Sequence, residues 1–232
     1  MALFPLYNSL RISILSTIVI FFTGVFFAYY ISKLNSFFKG MCDVLLTLPL
    51  VLPPTVVGYF ILLVLGPNRP VGKFFMEAFN LRLTMVWPAS VVATSIVAFP
   101  LMYRAARSSF ESFDEYLAES AKCLGISNTR IFWRIRIPNC KSGLIAGTVL
   151  SFARGLGEYG ATSMVSGYIP GRTANISTTV YHLWQTNNDS LAMKWVLINL
   201  AISIFMLSIL NIFESKNRKD KKHITLKTLF SR

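Results

Sequence analysis

The sequence predicts an all-α, polytopic membrane protein of about five transmembrane helices. Three observations carry that reading. Of the 232 residues, 53% are hydrophobic and only 14% charged, with a mean hydropathy of +0.53, whereas soluble domains carry about 25% charged residues. Several nearly uncharged runs approach about 20 residues, the length that crosses the hydrocarbon core as a helix. The 23 Lys and Arg outweigh the 10 Asp and Glu, for a net charge of +13. Those basic residues collect between the apolar runs, so membrane topology accounts for them without a nucleic-acid partner.

The first run, Leu10 to Ile31, is interrupted only by Arg11 near its outer end. It is longer than the core of a signal peptide and no small-residue cleavage site follows, so it reads as a retained helix. The second run, Val44 to Leu65, is uncharged but contains Pro49, Pro53 and Pro54. Proline removes an amide donor and crowds the preceding turn, and the carbonyls it frees need partners inside a membrane. This segment is either a break bordering a pathway or a kinked packing helix. Residues 66–82, with Pro67, Pro70 and Gly72, read as a loop. The third span is Leu83 to Tyr103, followed at once by Arg104 and Arg107.

The fourth span begins near Ser142, where Gly143 and Gly147 form a small-xxx-small pair that permits close helix approach. It runs into A-R-G-L-G-E-Y-G-A-T, Ala153 to Thr162. Arg154 and Glu158 are the strong charges deep in an apolar segment, and such charges are functional candidates by default. On a continuous helix they share a face and pair. Gly155, Gly157 and Gly160 leave that continuity open, and Gly157 and Gly160 are candidate breaks in a pathway helix. The two charges are therefore a structural ion pair or a pathway feature, with the pair preferred. The stretch Gly167 to Thr173 lacks the spacing and the lysine of a phosphate loop and reads as an external turn. Ile176 to Trp184 is too short to span and is a re-entrant or surface helix. Trp195 to Phe213 is the fifth span. Residues 1–215 form one domain, and 216–232 form a basic tail expected to be poorly ordered.

The longest polar interval, about 104–141, contains E-S-A-K-C-L-G-I-S-N-T-R-I-F-W-R-I-R-I-P, Glu119 to Pro138. Ser112 and Glu115 have capping-box spacing, which starts a helix near Ser112. Leu117, Ala121 and Leu124 give it one apolar face. Gly125 suits a left-handed cap. Asn128 caps a second short helix through Ile135, and Pro138 either stops it or opens the next.

In order and spacing, Glu119, Ala121, Gly125, Ile135 and Pro138 resemble the EAA loop of ABC importer permeases: E-A-A, three residues, G, nine residues, I-x-L-P. Ser120 replaces the first Ala and Ile137 the Leu. The segments Leu48–Tyr59 and Ala153–Thr162 are similar to those of molybdate permeases. The resemblance implies type I ABC importer permease architecture and an EAA helix that docks on a cytoplasmic ATPase. It further implies two permease copies, two ATPase subunits and an extracytoplasmic oxyanion-binding protein, importing molybdate by alternating access. Tungstate and sulfate remain alternatives, since tungstate is near-identical to molybdate in charge and shape and sulfate permeases share the EAA pattern.

The residues agree with a transport subunit that has no nucleotide site of its own and no cofactor. The chain has no P-loop, so ATP chemistry must come from a partner. Cys42, Cys123 and Cys140 lack metal-ligand spacing and read as free thiols; His182 and His223 lie far apart. A membrane enzyme or scaffold needs a buried His or carboxylate cluster, and a secondary transporter needs an inverted repeat with coupling carboxylates. Neither is visible. Lys33 and Lys39, the seven basic residues of the EAA interval and the seven of the tail lie on one side. Arg11, Arg69, Lys73, Arg82, Arg172 and Lys194 lie on the other. The richer side is cytoplasmic, which places the N-terminus outside and the C-terminus inside a bacterial or archaeal cell membrane.

Overall fold

The computed structural model describes residues 3–229, with side chains as far as Ile209 and at Asn211 and Ile212. All regular structure among them is helical: α1 (Phe4–Ser32), α2 (Ser36–Val51), α3 (Pro54–Leu65), α4 (Pro70–Phe79), α5 (Trp87–Glu111), α6 (Glu115–Cys123), α7 (Asn128–Ile131), a π-helical turn (Phe132–Arg136), α8 (Ile137–Leu156), α9 (Gly160–Ser166), α10 (Ile176–Gln185) and α11 (Asp189–Leu229). Three stretches are each long and apolar enough to cross a membrane: α1, α5 and the first part of α11, Asp189–Ile209. The pair α2–α3 passes the same test only when taken together and is bent by 110°, which makes it a broken span or a re-entrant loop. α8, expected as a span, is long enough at 20 residues but carries Asn139, Lys141 and Arg154. It packs against α1, α5 and α11.

The polarity of the bundle runs inward. The buried stripe of α1 includes Asn8, Ser9, Ser13, Ser16, Gly24 and Ala28, while Ile14, Ile18, Phe22 and Phe26 face outward. Small and hydroxyl side chains inside, with bulky apolar ones outside, is the arrangement that lipid demands. Helices associate there through close packing and hydrogen bonds rather than through expulsion of water. α8 meets α5 on the expected small pair: a Cβ at Gly147 would lie 2.8 Å from that of Ala105, and one at Gly143 would collide with Ser109. Two cores result. One joins α1, α5 and the α6–α8 segment around Met102, Tyr103 and Phe110. The other joins α3, α5 and α9 around Val57, Ala93 and Ala161. Arg11, the charge within the first run, is accommodated by stacking on Trp87, 3.4 Å from its ring centre.

Several boundaries differ from expectation. The first helix starts earlier, at Phe4, because Pro5 suits a helical first turn. The second span is not one helix: α2 and α3 meet at 110°. Pro49 is tolerated inside α2, whereas the adjacent Pro53 and Pro54 leave two successive amides without hydrogen and end it. The 66–82 loop contains the helix α4, opened by Pro70 and closed by Asn80 in the left-handed region at φ 51°. The basic tail continues α11, which runs to Leu229; residues 230–232 lie outside the described residues. The turn over Gly167 to Thr173 is pinned to α1. Asn8 donates to the Thr173 and Ala174 carbonyls, and Ser9 accepts from the Ile176 amide. The helix expected over 176–184 is α10, whose Asn175 forms a capping box with Thr178.

Candidate functional site

The polar interval folds into a helix, a turn and a helix base, with a different start and a different face from those expected. Ser112 closes α5, and its hydroxyl donates to Ser109. Asp114 is the cap of α6, accepting from the Tyr116 amide at 3.0 Å. The side chain that reaches the exposed amides decides the cap, and Asp114 is one residue from them. Ala118 and Ala121 are the buried residues of α6, whereas Leu117 faces solvent with Glu119. Tyr116 is 78% exposed and Leu124 80%. The alanines allow α6 to sit close on Phe113 and Ile131 in the core.

Gly125 has φ +75°. Its amide bonds to the Lys122 carbonyl and the Ile126 amide to that of Ala121, the paired bonds of a Schellman turn. Ser127, not Asn128, occupies the cap position of α7. The second helix does not end at Ile135. It widens into the π turn and continues as α8, with Pro138 in the first turn. Proline offers no amide and its ring crowds the carbonyl four residues back, here Arg134, so the wider ladder relieves both. The Ile137 amide accordingly bonds to Phe132, and the Asn139 side chain donates to the Ile135 carbonyl at 2.7 Å. Ile135 is half-buried and Pro138 exposed.

Two residues that the sequence did not pair, Glu115 and Arg136, hold this element together. The Arg136 guanidinium donates two parallel bonds to the Glu115 carboxylate, each 2.7 Å. It also stacks over Phe113, 4.5 Å from the ring centre. The bond to Arg136 holds the Glu115 carboxyl below the usual range, and the same bond raises Arg136. This clamp ties the start of α6 to the base of α8. Their charges bracket the interval at a sequence separation of 21, beyond any helical spacing. The available signal was an arginine placed among four apolar residues.

At the other end of α8 lies the second candidate group. The helix stops at Leu156, capped by Gly157, and α9 starts at Gly160. The helix is therefore broken at the glycines, yet Arg154 and Glu158 meet across the break, Nη1 to Oε2 at 2.7 Å. That contact lies off the N–H direction and is ionic rather than an aligned hydrogen bond. The other oxygen, Oε1, accepts from the Ala161 amide at 2.8 Å, so Glu158 also caps α9, where a negative charge is favoured. Glu158 is sealed, with 1% of its side chain exposed, against 33% for Arg154. The break touches the other broken helix: a Cβ on Gly160 would lie 2.9 Å from that of Pro54 and 3.2 Å from the Thr55 amide nitrogen. Pro54 and Gly160 thus meet where α3 packs on α9, with Pro53 beside Pro54 in the chain, whereas a Cβ on Gly157 would lie near only the Ala153 carbonyl of its own helix. Pro49 stands apart, lining apolar grooves with Val92 and Ile96. The three cysteines are free.

Comparison with known proteins follows this geometry. The family model described as binding-protein-dependent transport system inner membrane component matches residues 20–219. The chain belongs to that family. It is a membrane protein and a transport component. Over 202 residues it is 38% identical to the molybdenum transport system permease protein ModB of Escherichia coli (strain K12), covering 87% of this chain and 88% of that protein. It is 28% identical over 199 residues to the sulfate transport system permease protein CysW of Synechococcus elongatus, covering 86% and 69%. Among solved structures, it superposes with TM-score 0.73 on a chain of a bacterial ABC transporter involved in the import of the acidic polysaccharide alginate. That match has 18% identity and covers 92% of this chain and 79% of that one. The fold is that of type I ABC importer permeases.

Proposed function

We propose that this chain is the membrane-spanning subunit of an ATP-driven importer for molybdate. The observation that carries the substrate is the 38% identity with a molybdenum permease along nearly the whole chain, against 28% with a sulfate permease. In this reading two copies enclose the pathway, two cytoplasmic ATPase subunits supply the chemistry, and an extracytoplasmic binding protein delivers the anion. The N-terminus is outside and the C-terminus inside, as the basic-residue bias favours.

The α6 element is the coupling helix. Its exposed Tyr116, Leu117 and Leu124 beside Glu119 offer an apolar surface with a charged rim, suited to a groove on the ATPase. ATP-driven closure of the ATPase pair moves α6. The Glu115–Arg136 clamp passes that motion to the base of α8 instead of letting α6 slide. Its far end is the Gly157–Gly160 break against α3, where tilting of one half-helix on the other opens or closes the path. Arg154 and Glu158 act as a structural pair that keeps the break dry and closed to stray ions. Selectivity then rests with the binding protein, because a strong cationic site in the path would trap a dianion. The test is co-purification with an ABC ATPase, followed by labelled molybdate uptake against excess tungstate or sulfate. Uptake blocked by sulfate alone, or no ATPase in the complex, would refute the assignment.

A further inference from the structure

Between α1 and the segment formed by α7 and the π turn, the outer surface carries an apolar groove of about 580 Å³, walled by Phe22, Phe26, Tyr30 and Trp133. Next to it, under the ends of α1 and α5 and against α6, lies a polar cavity of about 860 Å³. Tyr29, Lys33, Asn128 and Phe132 line both, so the two are one cleft, apolar at one end and cationic at the other. The charges in the cavity are unequal. Glu111 is engaged by Lys39 and Glu115 by Arg136. Lys33 and Lys122 make no salt bridge among the described residues; Glu115 attracts both but is already bonded to Arg136, so the lining carries four cations, Lys33, Lys39, Lys122 and Arg136, against two carboxylates. Lys33 instead lies over the Tyr29 ring, 3.8 Å from its centre.

We propose that this cleft binds an anionic phospholipid, its acyl chain in the groove and its phosphate between Lys33 and Lys122. Three features favour that occupant. The groove continues the outward, bulky apolar face of α1, the kind of face that lipid covers. From Phe22 to Lys33 the helix rises about 16 Å, close to the roughly 15 Å of one leaflet. Tyr30 and Trp133 are exposed beside the cationic end, the position of aromatic residues at the headgroup level. Basic clefts between helices are suited to anionic headgroups. In the proposed orientation this is the cytoplasmic leaflet. A lipid seated here joins α1 to α7 and the π turn, and so stiffens the support beneath α6.

The test titrates the purified full chain, with and without its ATPase, with phosphatidylglycerol or phosphatidylcholine and counts bound lipid by native mass spectrometry. Phosphatidylglycerol should be retained in preference. Lys33→Gln and Lys122→Gln should each weaken it about fivefold and leave phosphatidylcholine unchanged, and Trp133→Ala should weaken both lipids. Equal retention of the two lipids, or unaltered phosphatidylglycerol binding in the double lysine variant, overturns the proposal. Displacement by excess inorganic phosphate would make this a soluble-anion site, and displacement by the ATPase would make it part of the docking surface; either result also overturns it. The same spectra report ATPase association separately, so a failure of the lipid site is not confused with a failure of the transport reading.

Discussion

Glu115→Gln and Arg136→Met remove the same bidentate contact from opposite sides, and the geometry makes their costs unequal. The Arg136 side chain is 8% exposed and that of Glu115 60%. Removing the carboxylate charge leaves a guanidinium buried over Phe113 with a weaker partner, and a hydrogen bond to a charged group contributes about 1.5–3 kcal/mol. Glu115→Gln should therefore cost about 2 kcal/mol, near the low end because water reaches the carboxylate. Arg136→Met replaces the buried charge by an apolar chain that can still touch the aromatic rings and leaves Glu115 free to hydrate. Exchanging a buried charge for a packed apolar group is often close to neutral, so the expected cost is under about 1 kcal/mol. For a chain of this size about 2 kcal/mol lowers Tm by roughly 4–8 °C. Thermal unfolding of the purified variants should show Glu115→Gln well below wild type and Arg136→Met near it. Both should lose coupled uptake, because either one unfastens α6 from α8. A larger loss in Arg136→Met, or wild-type uptake in both, would refute the clamp.

Four further outcomes are expected. The depressed Glu115 carboxyl contributes stability that is fully present above its unfolded value of about 4.3 and is lost as pH falls through its lower folded value. An acid titration should therefore show wild type losing this increment only below about pH 4, and Arg136→Met showing no such step. Gly125→Val should insert in the membrane yet fail ATPase pull-down, with Gly125→Asn milder; a Cβ there meets nothing within 4 Å, so backbone strain of roughly 1–2 kcal/mol is the cost. Arg154→Met strands the sealed Glu158 charge, at about 3–5 kcal/mol, so it should reduce assembled complex more than Glu158→Gln, with partial recovery in the double variant; normal assembly with abolished uptake would make Arg154 a pathway residue instead. For topology, Lys73→Cys should react with an impermeant thiol reagent in intact cells and Asn128→Cys should not, in a background lacking the native cysteines. Gly72 itself is unsuitable, because a side chain there would strike the Gly66 carbonyl oxygen.

By itself the sequence determined the helical class, the apolar runs and the glycine turn that follows α6. These depend on local quantities: run length against bilayer thickness, the forbidden amide of proline, the positive φ that Gly125 accepts. It also marked Pro53, Pro54, Gly157 and Gly160 as breaks, since weak helix formers act wherever they stand. Which face of α6 is buried was decided only by tertiary packing. Leu117, Ala121 and Leu124 share the helical period, but α6 turns Ala118 and Ala121 onto the core with Phe113 and Ile131 and leaves Leu117 and Leu124 exposed. Spacing likewise could not pair Glu115 with Arg136, because a contact between residues so far apart depends on how the chain returns to the base of α8. Nor could it bring Pro54 onto Gly160. Sequence names the residues that cannot continue a helix, and only the packing of α3 on α9 places two such breaks in contact.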